Sequence, residues 1–443
     1  MTVFNQERLP VEIFQIDRER MVEGWYSDAY FRNISRILNR LSSEGYTYRD
    51  EEGHEVDIGD IEVEMQIFPR RRPFCIVGGV DEALAILKTC TGYIDSKGKF
   101  VNTFDQLEVE AMHDGDKAFY RGDPENVEPV IKIRGKYRHF AILETPMIGS
   151  LTEASRIATN VFLVLEAAKG KDILFFPARF AHYKQQAIHG YAYSLGVNAY
   201  NEEFGANSHR FISTDEQGAW WGGKGAGTVS HSYIASFLGD TTEAMLQFCR
   251  QMPADLNRIA LVDFDNDCVG TTLDVLREMY KYYSYHKKDG NAKQAKKYKL
   301  FGVRPDTGSN LRDISVEPLG DKKLDNGVNA RLVFKLRKAI DEAYKDWDIE
   351  SEEELEKAKE YCENVKIIAT GGFKPDKIRQ FEKSQVPVDI YGIGSWLLSN
   401  SSAENTKNDF TADVVRVKIN GEWKDMAKEG RKPCFNDKMV KVN

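Results

Sequence analysis

Residues 366–395 read KIIATGGFKPDKIRQFEKSQVPVDIYGIGS. A short apolar run at 366–369 is followed by Thr370-Gly371-Gly372-Phe373 and then by a helix-forming stretch over 374–384. Pro375 stands in its first turn, where a missing N–H removes no helical hydrogen bond. A second apolar run at 388–391 leads into Gly392-Ile393-Gly394-Ser395. Strand, glycine loop, helix and strand in so few residues predict two parallel strands joined by a helical crossover.

The same succession extends upstream. Strands are predicted at 173–176, 259–262 and 300–303, with helices at 271–283 and 330–347. A run of parallel strands makes an α/β sheet, open or closed into a barrel, and both bind ligands at the carboxyl ends of the strands. Residues 61–68 and 130–133 read as strands of a mixed domain that precedes this sheet. After Asn400 short strands return, so the tail rejoins the first domain or caps the barrel. The charged stretch 346–359 reads as a solvated helix face.

The totals narrow the function. A chain of 443 residues with 42% hydrophobic content can bury at least one large core. A formal charge of −8 is the wrong sign for a general nucleic-acid binder. The six cysteines show no CxxC pair and no zinc spacing, which suits a reducing cytoplasm. No run is long and apolar enough to predict a membrane span, and the N-terminus does not read as a signal peptide.

The loops after the strands carry the polar residues. Arg304-Pro305-Asp306-Thr307-Gly308-Ser309 pairs a guanidinium, able to grip an anion with two parallel hydrogen bonds, with a carboxylate that can orient a hydroxyl or face positive charge. By itself it could equally be a salt-bridged turn. Gly371, Gly372, Gly394 and Ser395 lie in loops where backbone N–H groups can approach an anion, so two such loops predict a phosphate cradle. His231 lies in Gly227-Thr228-Val229-Ser230-His231-Ser232. Asp263, Asp265 and Asp267 crowd the end of the strand at 259–262, suiting Mg²⁺, ribose hydroxyls, the orientation of a histidine, or a helix cap. That stretch loosely resembles the acidic motif of type I phosphoribosyltransferases, which is the weaker fold alternative.

Taken in order, the segments resemble the nicotinate/nicotinamide phosphoribosyltransferase family, the type II group. The resemblance begins at Tyr26-Ser27-Asp28-Ala29-Tyr30 and continues through Ala111-Met112-His113-Asp114-Gly115, Glu144-Thr145-Pro146-Met147-Ile148-Gly149 and Ala154-Ser155-Arg156-Ile157-Ala158-Thr159. Phe176-Pro177-Ala178-Arg179, Gly227 to Ser232 and Arg304 to Gly308 follow, with Pro177 standing where the family has glycine. It implies an irregular, incomplete α/β barrel over 151–400. A second, mixed α/β sandwich-like domain would be built from 1–150, with an N-terminal helical arm, and from 401–443.

It also implies roles. Phe176 stacks on a pyridine ring, Arg179 holds the ring's substituent, and Tyr30 covers the other face from a second subunit of a homodimer. His231 is phosphorylated by ATP, with Asp263 fixing its tautomer. Arg304 and Asp306 contact the ribose and the reacting base, and the glycine loops bind the 5-phosphate. Mg²⁺ neutralises the pyrophosphate of the second substrate, 5-phosphoribosyl pyrophosphate. The basic residues Arg416, Lys424, Lys428 and Arg431 resemble a C-terminal region that reaches nucleotide phosphates. The expected reaction is nicotinate transfer coupled to ATP hydrolysis in the cytoplasm. The alternatives are nicotinamide as the base, or a catalytically silent nucleotide-binding homologue. An acidic side chain would hold an amide and repel a carboxylate, so the choice of base stays open with the position of Asp215.

Overall fold

The computed structural model describes residues 7–227 and 229–443. Six strands form one all-parallel sheet, in the order Arg210–Ile212, Ile173–Phe175, Ile390–Ile393, Lys366–Ala369, Leu300–Arg304 and Arg258–Leu261. This is the curled half-barrel expected. Parallel strands share one polarity, so their following loops gather on one rim.

Side chains divide between the two faces of this sheet. Ile173 and Phe175 pack outward into the large core against the helices, whereas Leu174 joins Ile259, Ile368 and Ile390 in a small inner cluster. That inner cluster is the apolar floor beneath the rim. The alternation is the period-2 pattern of a strand buried on both faces.

The predicted elements differ from the observed ones mainly at their ends. The strand Lys366–Ala369 has the predicted bounds, while Ile390–Ile393 starts two residues later than the apolar run. The helix Cys268–Lys288 is longer than predicted because Asp267 caps it, accepting from the Gly270 N–H at 2.9 Å. Residues 346–359 are not one helical face. A 3₁₀ turn ends at Asp346, and Glu352–Glu363 starts afresh behind Ser351, whose hydroxyl accepts from the Glu354 N–H. The strand Arg210–Ile212 is absent from the sequence reading.

A second sheet, antiparallel throughout, runs Glu422–Asp425, Phe410–Ile419, Glu62–Pro69, Ile131–Lys136, Glu108–Ala111 and Val440–Lys441. Its strand Phe410–Ile419 pairs antiparallel with Glu62–Pro69, so the tail completes this sheet rather than capping the barrel. The helix Glu144–Ala167 ties the two halves together: Met147 and Leu151 lie in the core beneath this sheet, while Ile157, Val161 and Leu165 lie in the barrel's core. Twenty-four residues give a helix about 36 Å long, enough to serve both.

Candidate active site

Successive strand ends each deliver a polar group to the rim. After Ile173–Phe175 comes Phe176, whose N–H donates to the Ile393 carbonyl at 2.9 Å, followed by the 3₁₀ turn Pro177–Phe180 with Arg179. After Leu300–Arg304 come Pro305 and Asp306; after Lys366–Ala369 come Thr370, Gly371 and Gly372; after Ile390–Ile393 come Gly394 and Ser395. Phe176, Arg179, Arg304, Asp306, Gly371, Gly372, Gly394 and Ser395 all line one cleft of about 640 Å³.

The loops are braced against one another. The Thr370 hydroxyl donates to Asp306 Oδ1 at 2.6 Å, and the Thr370 N–H donates to the Pro305 carbonyl at 3.3 Å. Asp306 Oδ2 lies 3.7 Å from Arg304 Nη1, and Arg304 Nη2 donates to the Val229 carbonyl at 3.1 Å. Burial pulls the Arg304 pKa down, Asp306 and Asp263 oppose that, and Arg179 adds to it. Two guanidiniums therefore share the cleft, and Arg304 Nε is buried without a partner among the described residues. Such a pair is poised for an anion.

Gly371 and Gly372 have φ of +90° and +70°, the left-handed region that side chains disfavour. The N–H groups of Gly371, Gly372, Phe373, Gly394 and Ser395 donate to nothing among the described residues. Unused backbone donors around one cleft are what a phosphate requires. Gly392 serves packing instead: a Cβ there would lie 2.5 Å from Thr370 Cγ2 and 3.0 Å from the Phe176 ring. Gly392→Ala is therefore expected to cost about 1–3 kcal/mol in urea unfolding, with the Phe176 ring displaced; an unchanged midpoint would show that the floor yields.

His231 stands at the start of the short helix His231–Ser236, capped by the Ser230 hydroxyl, which accepts from the Tyr233 N–H. Its Nε2 lies 3.1 Å from both carboxylate oxygens of Asp263. Donation of Nε2–H to Asp263 leaves the lone pair on Nδ1. Burial raises the Asp263 pKa, His231 lowers it, and nearby Asp306 raises it further. Two of the three aspartates thus divide their roles, Asp263 facing the histidine and Asp267 capping a helix. Thr228, part of the same segment, lies outside the described residues.

Several expected residues lie outside the cleft lining of their own chain, His231 and Asp263 among them, and so does Tyr30, which is expected to act from a second subunit. Tyr30, on the helix Ala29–Glu44, is 56% exposed and does not line the cleft of its own chain. Arg416, Lys424 and Arg431 are engaged by Asp425, Glu52 and Asp413 beside the antiparallel sheet, and neither they nor Lys428 lines the cleft. The charges of Arg416, Lys424 and Arg431 are spent on neighbouring strands and loops.

Asp215 is now placed: its Oδ1 accepts from the Gly225 N–H at 2.9 Å, and it does not line the cleft. Phe180, Ser213, Lys374 and Trp396 also line the cleft without having been singled out from sequence. Phe180 adjoins Arg179, and a Cβ on Gly394 would lie 2.7 Å from its ring, so a glycine one residue past the end of the strand Ile390–Ile393 was the available signal. A second cavity, about 610 Å³ and walled by Tyr233, Phe237 and Phe248, lies behind Ser230 and is lined by none of the expected residues.

Known proteins resemble this chain in fold. Residues 28–155 match the family model for the quinolinate phosphoribosyl transferase N-terminal domain. Among solved structures, a nicotinate-nucleotide pyrophosphorylase from Pyrococcus furiosus is similar at 23% identity and a TM-score of 0.60, over 94% of this chain and 80% of that one. Human nicotinic acid phosphoribosyltransferase is similar at 14% identity and a TM-score of 0.55, over 90% of this chain and 75% of that one. No curated protein sequence matches.

Proposed function

From the type II phosphoribosyltransferase fold that this chain has, we propose that it joins nicotinate to 5-phosphoribosyl pyrophosphate, giving nicotinate mononucleotide and pyrophosphate in cytoplasmic NAD synthesis or salvage. The observation that carries the choice of base is the charge of the cleft lining. Arg179 stands three residues from Phe176, and Asp306 is the only carboxylate among the described residues that line the cleft. Asp215, the candidate acid for gripping an amide, is held by the Gly225 N–H instead. A cationic pocket whose one acid is already engaged by Thr370 and Arg304 suits a carboxylate and leaves an amide's N–H groups unanswered.

In this reading the pyridine ring stacks on Phe176 and its carboxylate meets Arg179. The 5-phosphate takes the free N–H groups after the strands Lys366–Ala369 and Ile390–Ile393. As the ribose C1–oxygen bond to pyrophosphate breaks and the bond to the pyridine nitrogen forms, positive charge builds on the sugar, and Asp306 faces it. Mg²⁺ travels with the pyrophosphate, in keeping with a lining that offers one carboxylate rather than an all-protein cage. ATP donates its terminal phosphoryl group to His231 Nδ1, and hydrolysis of that phosphohistidine drives product formation. Tyr30 of a second copy closes the base site in a homodimer.

A second base is favoured by one observation, the match of residues 28–155 to the quinolinate phosphoribosyl transferase N-terminal domain. Pyrophosphate release with 5-phosphoribosyl pyrophosphate, Mg²⁺ and ATP, measured against nicotinate, nicotinamide and quinolinate in parallel, separates the readings. Nicotinate is expected to be used at least about tenfold more efficiently than nicotinamide, the worth of one unanswered polar contact. Preference for either other base would overturn the assignment, and release with none of the three would make the chain a silent homologue.

A further inference from the structure

The phosphate cradle depends on a peptide that could face either way. Gly371 and Gly372 both sit at positive φ, and with no Cβ on either side the plane between them is sterically free to flip. In a trans peptide the C=O and the N–H point in opposite directions. Whatever holds the Gly371 carbonyl away from the cleft therefore aims the Gly372 N–H into it.

Lys377 provides that hold. It lies in the first turn of the helix Pro375–Lys383, and its side chain runs back towards the helix N-terminus, as helical side chains do. Its Nζ lies over the Phe373 ring, 4.0 Å from the centroid, and donates to the Gly371 carbonyl at 3.4 Å. That is a long contact, but it is the ammonium's only hydrogen bond among the described residues. No carboxylate among the described residues pairs with it, and burial lowers its pKa to about 8. The neighbouring Lys374 differs: it lies 3.7 Å from Glu404 and lines the cleft directly.

We propose that Lys377 is a positioning residue for the sugar phosphate: by holding the Gly371 carbonyl it fixes the Gly371–Gly372 peptide with its N–H towards the 5-phosphate. It also leaves an uncompensated cation behind the loop, which a dianionic phosphate on the other side would favour. The inference rests on the reading of these loops as the phosphate cradle.

The test uses the full chain and ribose 5-phosphate as the probe, with affinity measured by calorimetry and with the KM for 5-phosphoribosyl pyrophosphate and kcat measured separately. Lys377→Met keeps the aliphatic stem over Phe373 and removes the donor. It is expected to weaken ribose 5-phosphate binding and raise that KM by about tenfold or more, the scale of a hydrogen bond from a charged group. The KM for the base and kcat should stay close to wild type. Lys377→Arg should retain most of the affinity. Should the methionine variant not fold by urea titration, Lys377→Gln replaces it, with a smaller loss expected. Equal affinity in wild type and Lys377→Met overturns the role of Lys377 alone. No binding of ribose 5-phosphate by wild type overturns the cradle itself, and with it this inference.

Discussion

Asp306→Asn is expected to lower kcat by about 10²- to 10³-fold, the usual cost of removing a preorganised charge-stabilising group. The substitution is nearly isosteric. The Thr370 hydroxyl, now 2.6 Å from Asp306 Oδ1, can still donate to an amide oxygen, so the brace between the two loops survives. What is lost is the negative charge facing the sugar and the counter-charge 3.7 Å from Arg304. Because the side chain is 29% exposed and packs no core, the urea midpoint should move little. A variant within threefold of wild-type turnover would remove Asp306 from the chemistry, whatever its place in the cleft.

His231→Ala should make rates with and without ATP coincide, while slow ATP-independent synthesis continues. The imidazole is 49% exposed and its Nε2 is held by Asp263 at 3.1 Å, which leaves Nδ1 free to attack a phosphoryl group. Deleting the ring removes the acceptor without disturbing Phe176, Arg304 or the glycine loops, since it pairs with none of them. Acid-labile incorporation of the terminal phosphate of ATP should vanish in the same variant. Persistence of both the ATP stimulation and the label would make the His231–Asp263 pair a structural contact.

Much of the barrel was legible because its strands are short apolar runs closed by polar loops, and chemistry gathers in those loops. Arg304, Asp306, Gly371 and Ser395 could be singled out from their places after strands, and the shared polarity of the sheet is what brings them together. Arg210–Ile212 escaped notice because three residues, one of them arginine, give no periodic signal. The break before Ser351 was hidden for a related reason: charged residues continue on both sides of it, and only the capping serine marks the new start. Asp215 could not be assigned because its partner, the Gly225 N–H, lies across a loop whose path sequence does not reveal. Lys377 was silent too, since a lysine in a helix is usually a solvated charge. Only the backbone it reaches makes it different.

The tail of the chain supplies strands to both margins of the antiparallel sheet: Phe410–Ile419 with Glu422–Asp425 on one side, Val440–Lys441 on the other. Chains emerge from the ribosome amino end first, and domains generally fold as they appear. Here the sheet begun by Glu62–Pro69 must wait, with the open edge later covered by Phe410–Ile419 exposed, until the whole barrel has been translated. Exposed edges of that kind invite pairing with other chains. The topology therefore makes a ribosome stall after about Ile393 more hazardous than one near the start, because it would release a finished barrel tethered to a half-built, adhesive sheet.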